Sequence, residues 1–233
     1  MGFEAAHVHG TRVHSEPSGT FSPDELRLIR DAGRTRVWRP GAVLFPEGGP
    51  PDSVVLVEEG LVKITADADT GYTSLLAIRG PGELVGEMSC VDGRARSATA
   101  TAMRPVRGTV VASDRFLTLL ERNGSLTLTV LRGLAARLRD ADGLRADQGA
   151  LPSGVRVARV LLDLVLRHGA EVPGRAGERV LSVSQRELAG AAGTSRESVV
   201  RTLRRLHREG LVSTSRGRTV VLDPRALARW AGI

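Results

Sequence analysis

The chain has 233 residues, enough for one or two domains with a buried core in each. It has one cysteine, which excludes an internal disulfide framework and any four-cysteine metal site within one chain. Aromatic residues make up 3%, too few for recognition of single strands by base stacking. No run of about 18 apolar residues is present and the N-terminus has no signal-like apolar region, so a cytoplasmic protein with no membrane partner is expected.

The formal net charge of +7 is unevenly spread. Eighteen basic residues face nineteen acidic ones up to Leu151, and fifteen face seven beyond it. A positive excess confined to the C-terminal third suits contact with a phosphate backbone.

Residues 1–20 read as a disordered polar tail. Its His7, His9 and His14 lack a carboxylate or cysteine at a spacing that would complete a metal site. Phe21–Leu26 opens a short helix, with Ser22 as N-cap and Pro23 in the first turn. From Thr35 to Val111 short β-branched runs alternate with Gly, Pro and Asp: 43–45, 53–57, 61–65, 74–78, 98–102 and 108–111. That spacing predicts an antiparallel barrel or roll within residues 21–124.

A helix over 113–120 precedes a long one from about Ser125 to Ala146, the core of a dimerisation segment at 125–149. Leu131, Leu134, Leu138 and Ala141 form a narrow apolar seam suited to a helix–helix dimer, or to packing on the roll. Gly143 and the Asp140–Asp142 cluster predict weakening near its end. Gln148–Gly154 reads as a hinge, Val155–Arg167 as a helix opening the last domain (150–233), and His168–Glu178 as a loop.

The most informative stretch is Gly193–Gly210. With Arg196 at zero on a helical wheel, Glu197, Arg201, Arg204 and Arg208 fall at about 80–140°, and Val199, Leu203 and Leu206 at about 280–340°. One face can seat on a core while the other offers arginines and a carboxylate. Thr194 and Glu197 form a capping-box pattern, and Gly210 is a stop signal. Ser184–Ala189 reads as a preceding helix, Ala191–Gly193 as a turn, and 211–214 with 219–222 as a wing whose tip carries Arg216 and Arg218. These make a winged helix-turn-helix. Arg196 and Arg201 can each donate two hydrogen bonds to guanine, and Glu197 can accept from cytosine. Arg186, Thr194, Ser195, Arg216 and Arg218 are expected at phosphates of double-stranded DNA.

Gly82–Ala98 is the chemical stretch of the roll. Gly86 permits a close backbone approach, Glu87 offers a carboxylate for a ribose hydroxyl, and Arg96–Ser97 can hold a phosphate. Alternatively, Glu87 and Arg96 pair with each other across an unused pocket. No nucleophile–base pair, GxxxxGK loop or HExxH motif argues for an enzyme. Cys90 reads as a small core residue.

Val85–Ala102 resembles the signature of cyclic-nucleotide-binding domains, and Pro40–Gly48 and Val57–Ile64 resemble their first strands. With the helix-turn-helix, the chain from about Phe21 to Leu222 resembles the cyclic-AMP receptor protein/FNR family of bacterial transcription regulators. The resemblance implies an α+β fold: an N-terminal double-stranded β-roll, a long dimerisation helix and a C-terminal winged helix-turn-helix. It implies Gly86, Glu87, Arg96 and Ser97 as contacts of cAMP or another cyclic nucleotide. The family's Thr-Ser pair toward the purine aligns with Ala141-Asp142, of which Asp142 alone can accept a purine amino hydrogen. The resemblance further implies a homodimer on a TGTGA-like inverted repeat, with RNA polymerase as a partner, met through surface loops such as 168–179. A ligand-independent regulator with a vestigial pocket is the alternative.

Overall fold

The computed structural model describes residues 20–67, 73–215 and 217–233. His7, His9, His14 and Arg216 therefore lie outside the described residues.

The chain runs α1 (Pro23–Ala32), β1 (Arg34–Trp38), β2 (Val43–Phe45), β3 (Ser53–Glu59), β4 (Val62–Asp67), β5 (Thr73–Arg79), β6 (Leu84–Val85), α2 (Glu87–Asp92), β7 (Thr99–Ala102) and β8 (Val106–Ala112). Then follow α3 (Ser113–Arg122), α4 (Gly124–Ala150), α5 (Ser153–His168), β9 (Ala170–Val172), β10 (Arg175–Leu181), α6 (Gln185–Ala191), α7 (Arg196–Arg208), β11 (Val212–Ser215), β12 (Arg218–Val221) and α8 (Pro224–Trp230). Among the described residues the strands form three antiparallel sheets, ordered β1-β8-β3-β6, β2-β7-β4-β5 and β11-β12-β10-β9. The first two face each other as the β-roll.

Strand β3 shows why the roll needs helices around it. Its side chains alternate between two apolar cores. Val55 and Val57 point into the roll with Trp38, Phe45, Val62, Val85 and Val106. Val54 and Leu56 join Ile29 of α1, Phe116 of α3 and Leu126 of α4 outside it. Cys90 is a buried member of this second core, as a small core residue would be. Ser22 caps α1 reciprocally with Glu25, and the buried Glu25 carboxylate also accepts from Thr129 Oγ1 at 3.0 Å, tying α1 to α4.

The long helix departs from expectation at its end. Gly143 and the aspartates do not interrupt it, and it runs through Ala150, where a hinge was expected from Gln148. Tertiary contacts hold that last turn: Asp147 pairs with Arg159, and the Gln148 side chain packs against Gly193. The non-helical connection is reduced to Leu151 and Pro152. The seam also differs. Leu134 packs on the chain's own core, while Leu128, Leu131, Ala135 and Leu138 stand outside it at steps of three, four and three.

The stretch 168–178, expected as a loop, contains β9 and the start of β10. Its Pro173-Gly174 pair turns the chain, with Gly174 at φ 76°, and the strands are too short to announce themselves by periodicity.

The C-terminal part docks on the roll's outer surface. Leu61, Leu75 and Ile78 of the roll share one core with α5, α6 and α7. Lys63 Nζ donates to Glu187 Oε1 of α6 at 2.5 Å. Gly190 of α6 lies so close to β5 that a Cβ would stand 2.8 Å from Ser74 Cα and 3.1 Å from Leu75 N. His168, at the end of α5, is half-buried at the same junction. Burial, with Arg167 and Arg79 beside it, holds its pKa down at about 4.

Both features of the junction can be tested. Gly190→Ala should lower the melting temperature by a few degrees, a loss of about 1–3 kcal/mol from overpacking, although alanine is the better helix former. Acidification tests His168. Its folded-state pKa is depressed, so neutral His168 costs nothing above the unfolded value near 6.5, and stability is lost as pH falls from there toward 4. Thermal melts between pH 7 and 4 should show a smaller loss in His168→Gln than in the native chain.

Candidate nucleic-acid interface and effector site

Helix α7 is positioned by its apolar side. Val199, Leu203 and Leu206 are buried, with Thr202 beside them, whereas Arg196, Glu197, Arg201, Arg204 and Arg208 are exposed. The capping box between Thr194 and Glu197 is not formed. The N-cap is Ser195, whose hydroxyl accepts from Ser198 N at 3.2 Å. The tight turn sets this register: Gly193 takes φ 56°, Thr194 N donates to Ala189 O, and the chain turns helical one residue later than the pattern implies. Ser198 then occupies the position a capping carboxylate would need. Glu197 instead lies in the first turn, where its own backbone N–H and the Ser195 hydroxyl hold its carboxyl below the usual range.

The preceding helix α6 has a complete capping box between Ser184 and Glu187, and Arg186 lies in its first turn. Glu187 serves twice, as cap and as the partner of Lys63. Arg218 is exposed at the start of β12, beside the wing tip.

A contact that sequence reasoning missed fixes this unit to the hinge. Arg156 of α5 donates from Nε to Ala192 O (3.0 Å), from Nη2 to Gly193 O (2.9 Å) and from Nη1 to Leu151 O (2.7 Å). One guanidinium fork thereby gathers the helix-turn-helix turn and the end of the connection. An arginine on an amphipathic helix carries no local signal of such a role.

In the roll, Gly86 N-caps α2 with φ 88°, and its absent Cβ leaves room for Arg96 Nη1 and the Phe45 ring. Glu87 and Arg96 are both buried, but they do not pair with each other. Glu87 pairs with Arg137 of α4. Arg96 donates from Nη1 to Gly86 O (2.7 Å) and from Nη2 to Ser53 O (2.6 Å), and it pairs with Asp52 at 3.3 Å. The Phe45 ring centre lies 4.0 Å from its guanidinium carbon. Ser97 is exposed beside it. Asp142 is exposed on α4 and pairs with Arg145, about one and a half turns past Arg137. The structure thus gathers Gly86, Glu87 and Arg96 around α2, and α4 reaches that group through Arg137. The sequence hint was Arg137's place on the long helix, which gave no reason to prefer it over Arg132 or Arg139.

Comparison with known proteins agrees with both halves. Residues 35–123 match the cyclic nucleotide-binding domain family, and residues 155–230 match the Crp-like helix-turn-helix domain family. The chain is 32% identical over 191 residues to a CRP-like cAMP-activated global transcriptional regulator of Mycobacterium tuberculosis, covering 82% of this chain and 85% of the relative. It is 33% identical over 204 residues to a cyclic AMP receptor protein of Thermus thermophilus, covering 87% and 90%. The fold is similar to that of a c-di-GMP responsive global regulator of Xanthomonas campestris (TM-score 0.73, 26% identity, 87% and 99% covered). It is similar to the same degree to that of a CRP/FNR family transcriptional regulator of Thermus thermophilus (TM-score 0.72, 27% identity, 86% and 99% covered). A β-roll of the cyclic-nucleotide-binding type, a long helix and a helix-turn-helix that takes DNA as partner therefore stand in one chain, which belongs to the CRP/FNR family of transcriptional regulators.

Proposed function

We propose that the chain is a homodimeric, effector-controlled regulator that reads a TGTGA-like inverted repeat. The observation that carries this reading is the division of α7: an apolar side sealed into the core and an arginine face left to solvent. Arg196 and Arg201 would read guanines and Glu197 a cytosine. Arg186, Thr194, Ser195, Arg216 and Arg218 would hold phosphates. The division of labour follows the parts read in the sequence: tail 1–20, roll 21–124, dimer helix 125–149 and DNA-binding unit 150–233.

Dimerisation would use the exposed leucines of α4. Leu128, Leu131 and Leu138 stand on one face, at coiled-coil spacing. A two-fold pair places two copies of α7 about 34 Å apart, one turn of duplex. RNA polymerase is included as a partner, met by the exposed turn between β9 and β10.

The effector in this reading is a cyclic nucleotide such as cAMP, as the relatives' names suggest. Glu87 would accept from the ribose hydroxyl, Gly86 N–H, Arg96 and Ser97 would hold the phosphate, and Asp142 would accept from the purine. Binding at Glu87 competes with Arg137, so occupancy would alter how α4 sits on the roll. A second reading, a regulator without a ligand, is favoured by one observation: both terminal nitrogens of Arg96 already have backbone carbonyl acceptors.

Binding to a symmetric TGTGA-type duplex, with and without cyclic AMP, tests the proposal. Affinity should rise with cyclic AMP, and calorimetry should show saturable heat that is lost in Arg96→Ala. Unchanged DNA affinity and no heat would select the second reading. Arg196→Ala and Arg201→Ala should each cost about 1–3 kcal/mol and relax base preference at one position. Leu131→Asp with Leu138→Asp should give a monomer by sedimentation and abolish preference for the symmetric duplex.

A further inference from the structure

The arginines on the solvent face of α7 are not equivalent. Among the described residues, Arg201 alone of Arg196, Arg201, Arg204 and Arg208 has its guanidinium hydrogen-bonded within the chain. Its Nη2 donates to Ser198 Oγ, one turn back, at 2.9 Å. Ser198 Oγ in turn accepts from the hydroxyl of Ser195, the N-cap, at 3.3 Å. A short chain of bonds thus runs from cap to Ser198 to arginine along the first turn. Glu197 is no part of it, because it acts on Arg201 through charge alone.

Ser198 is a firm anchor because its backbone is fixed on both sides. Its N–H donates to Ser195 Oγ at 3.2 Å, its carbonyl accepts from Thr202 Oγ1 at 2.8 Å, and the next residue, Val199, is fully buried. The residue type matters as well. A glutamate at this position would turn its carboxylate back to the N-cap N–H, as Glu187 does in α6. Serine closes no such box in α7, and its oxygen is left to the arginine. The bond uses one of the five guanidinium N–H groups, so enough remain for a bidentate pair to guanine. Ordering a long, unattached side chain on binding costs about two- to tenfold in affinity, and a side chain already held avoids part of that.

We infer that Ser198 is a positioning residue for DNA reading: by holding Arg201 before DNA arrives, it sharpens the choice of guanine at the base pair that Arg201 meets. The inference rests on the reading of α7 proposed above. It adds a difference between the two guanine readers, with Arg201 set in advance and Arg196 ordered on contact.

The test uses the full-length protein with cyclic AMP present. Affinities are measured for the symmetric TGTGA-type duplex, for duplexes with each base pair of the half-site replaced in turn, and for scrambled duplex. Ser198→Ala keeps the N-cap bond, which is made by the backbone N–H, so its melting temperature should not fall. It should lose about two- to tenfold on the symmetric duplex. Its discrimination should shrink at the same base pair as in Arg201→Ala and at no other, with scrambled-duplex affinity and salt dependence unchanged. Ser198→Thr, which retains the hydroxyl, should restore discrimination. Adding Ser198→Ala to Arg201→Ala should cost nothing more. An equal loss on every duplex with a shallower salt dependence would make Ser198 a phosphate contact and overturn the inference, as would additive losses in the double variant. Full discrimination in Ser198→Ala beside reduced discrimination in Arg201→Ala overturns it and leaves the reading of α7 intact. Unchanged discrimination in Arg201→Ala overturns both.

Discussion

The pairing of Glu87 with Arg137 is the interaction on which the arrangement turns. An ionised carboxylate buried in the roll cannot stand alone, because its desolvation must be offset by a partner charge. The partner chosen here is on α4. Anything that takes the carboxylate's attention therefore loosens a tie between roll and helix, and anything that shifts the helix unpairs a buried charge. The cost of an unpaired buried charge is several kcal/mol, enough to make the roll and α4 respond together.

The second constraint is the seating of the helix-turn-helix unit on β4 and β5. Leu61, Leu75 and Ile78 give the roll an apolar outer surface that α5 and α6 cover. The close approach of Gly190 to β5 and the bond from Lys63 to Glu187 make that contact specific in register. Reading head and roll are thus neighbours by packing and not merely by connection. A ligand that binds one arrangement of the two better than another shifts their balance by its difference in affinity and no more.

Much of this architecture was legible in the chain. The wheel positions of Val199, Leu203 and Leu206 against Arg196, Arg201 and Arg204 separated the two faces of α7 correctly, because a helical period of 3.6 leaves a strong local imprint. Ser22 and Pro23 marked the start of α1, because capping signals are equally local. What escaped was decided by distant contacts. The last turn of α4 survives Gly143 because Asp147 and Gln148 meet Arg159 and Gly193. Strands β1 and β6 gain order from pairing with β8 and β3, which no local pattern announces. Around the effector seat, the residue types near Gly86 were readable, but the partners were not: whether Glu87 would meet Arg96 or Arg137 depends on where the roll lays its cassette against α4.

The fork of Arg156 has a mechanical consequence. By clasping Leu151, Ala192 and Gly193 together, it removes the slack that a two-residue connection would otherwise leave between stem and reading head. Torsion of the stem is then handed on as torsion of the head, as through a keyed shaft.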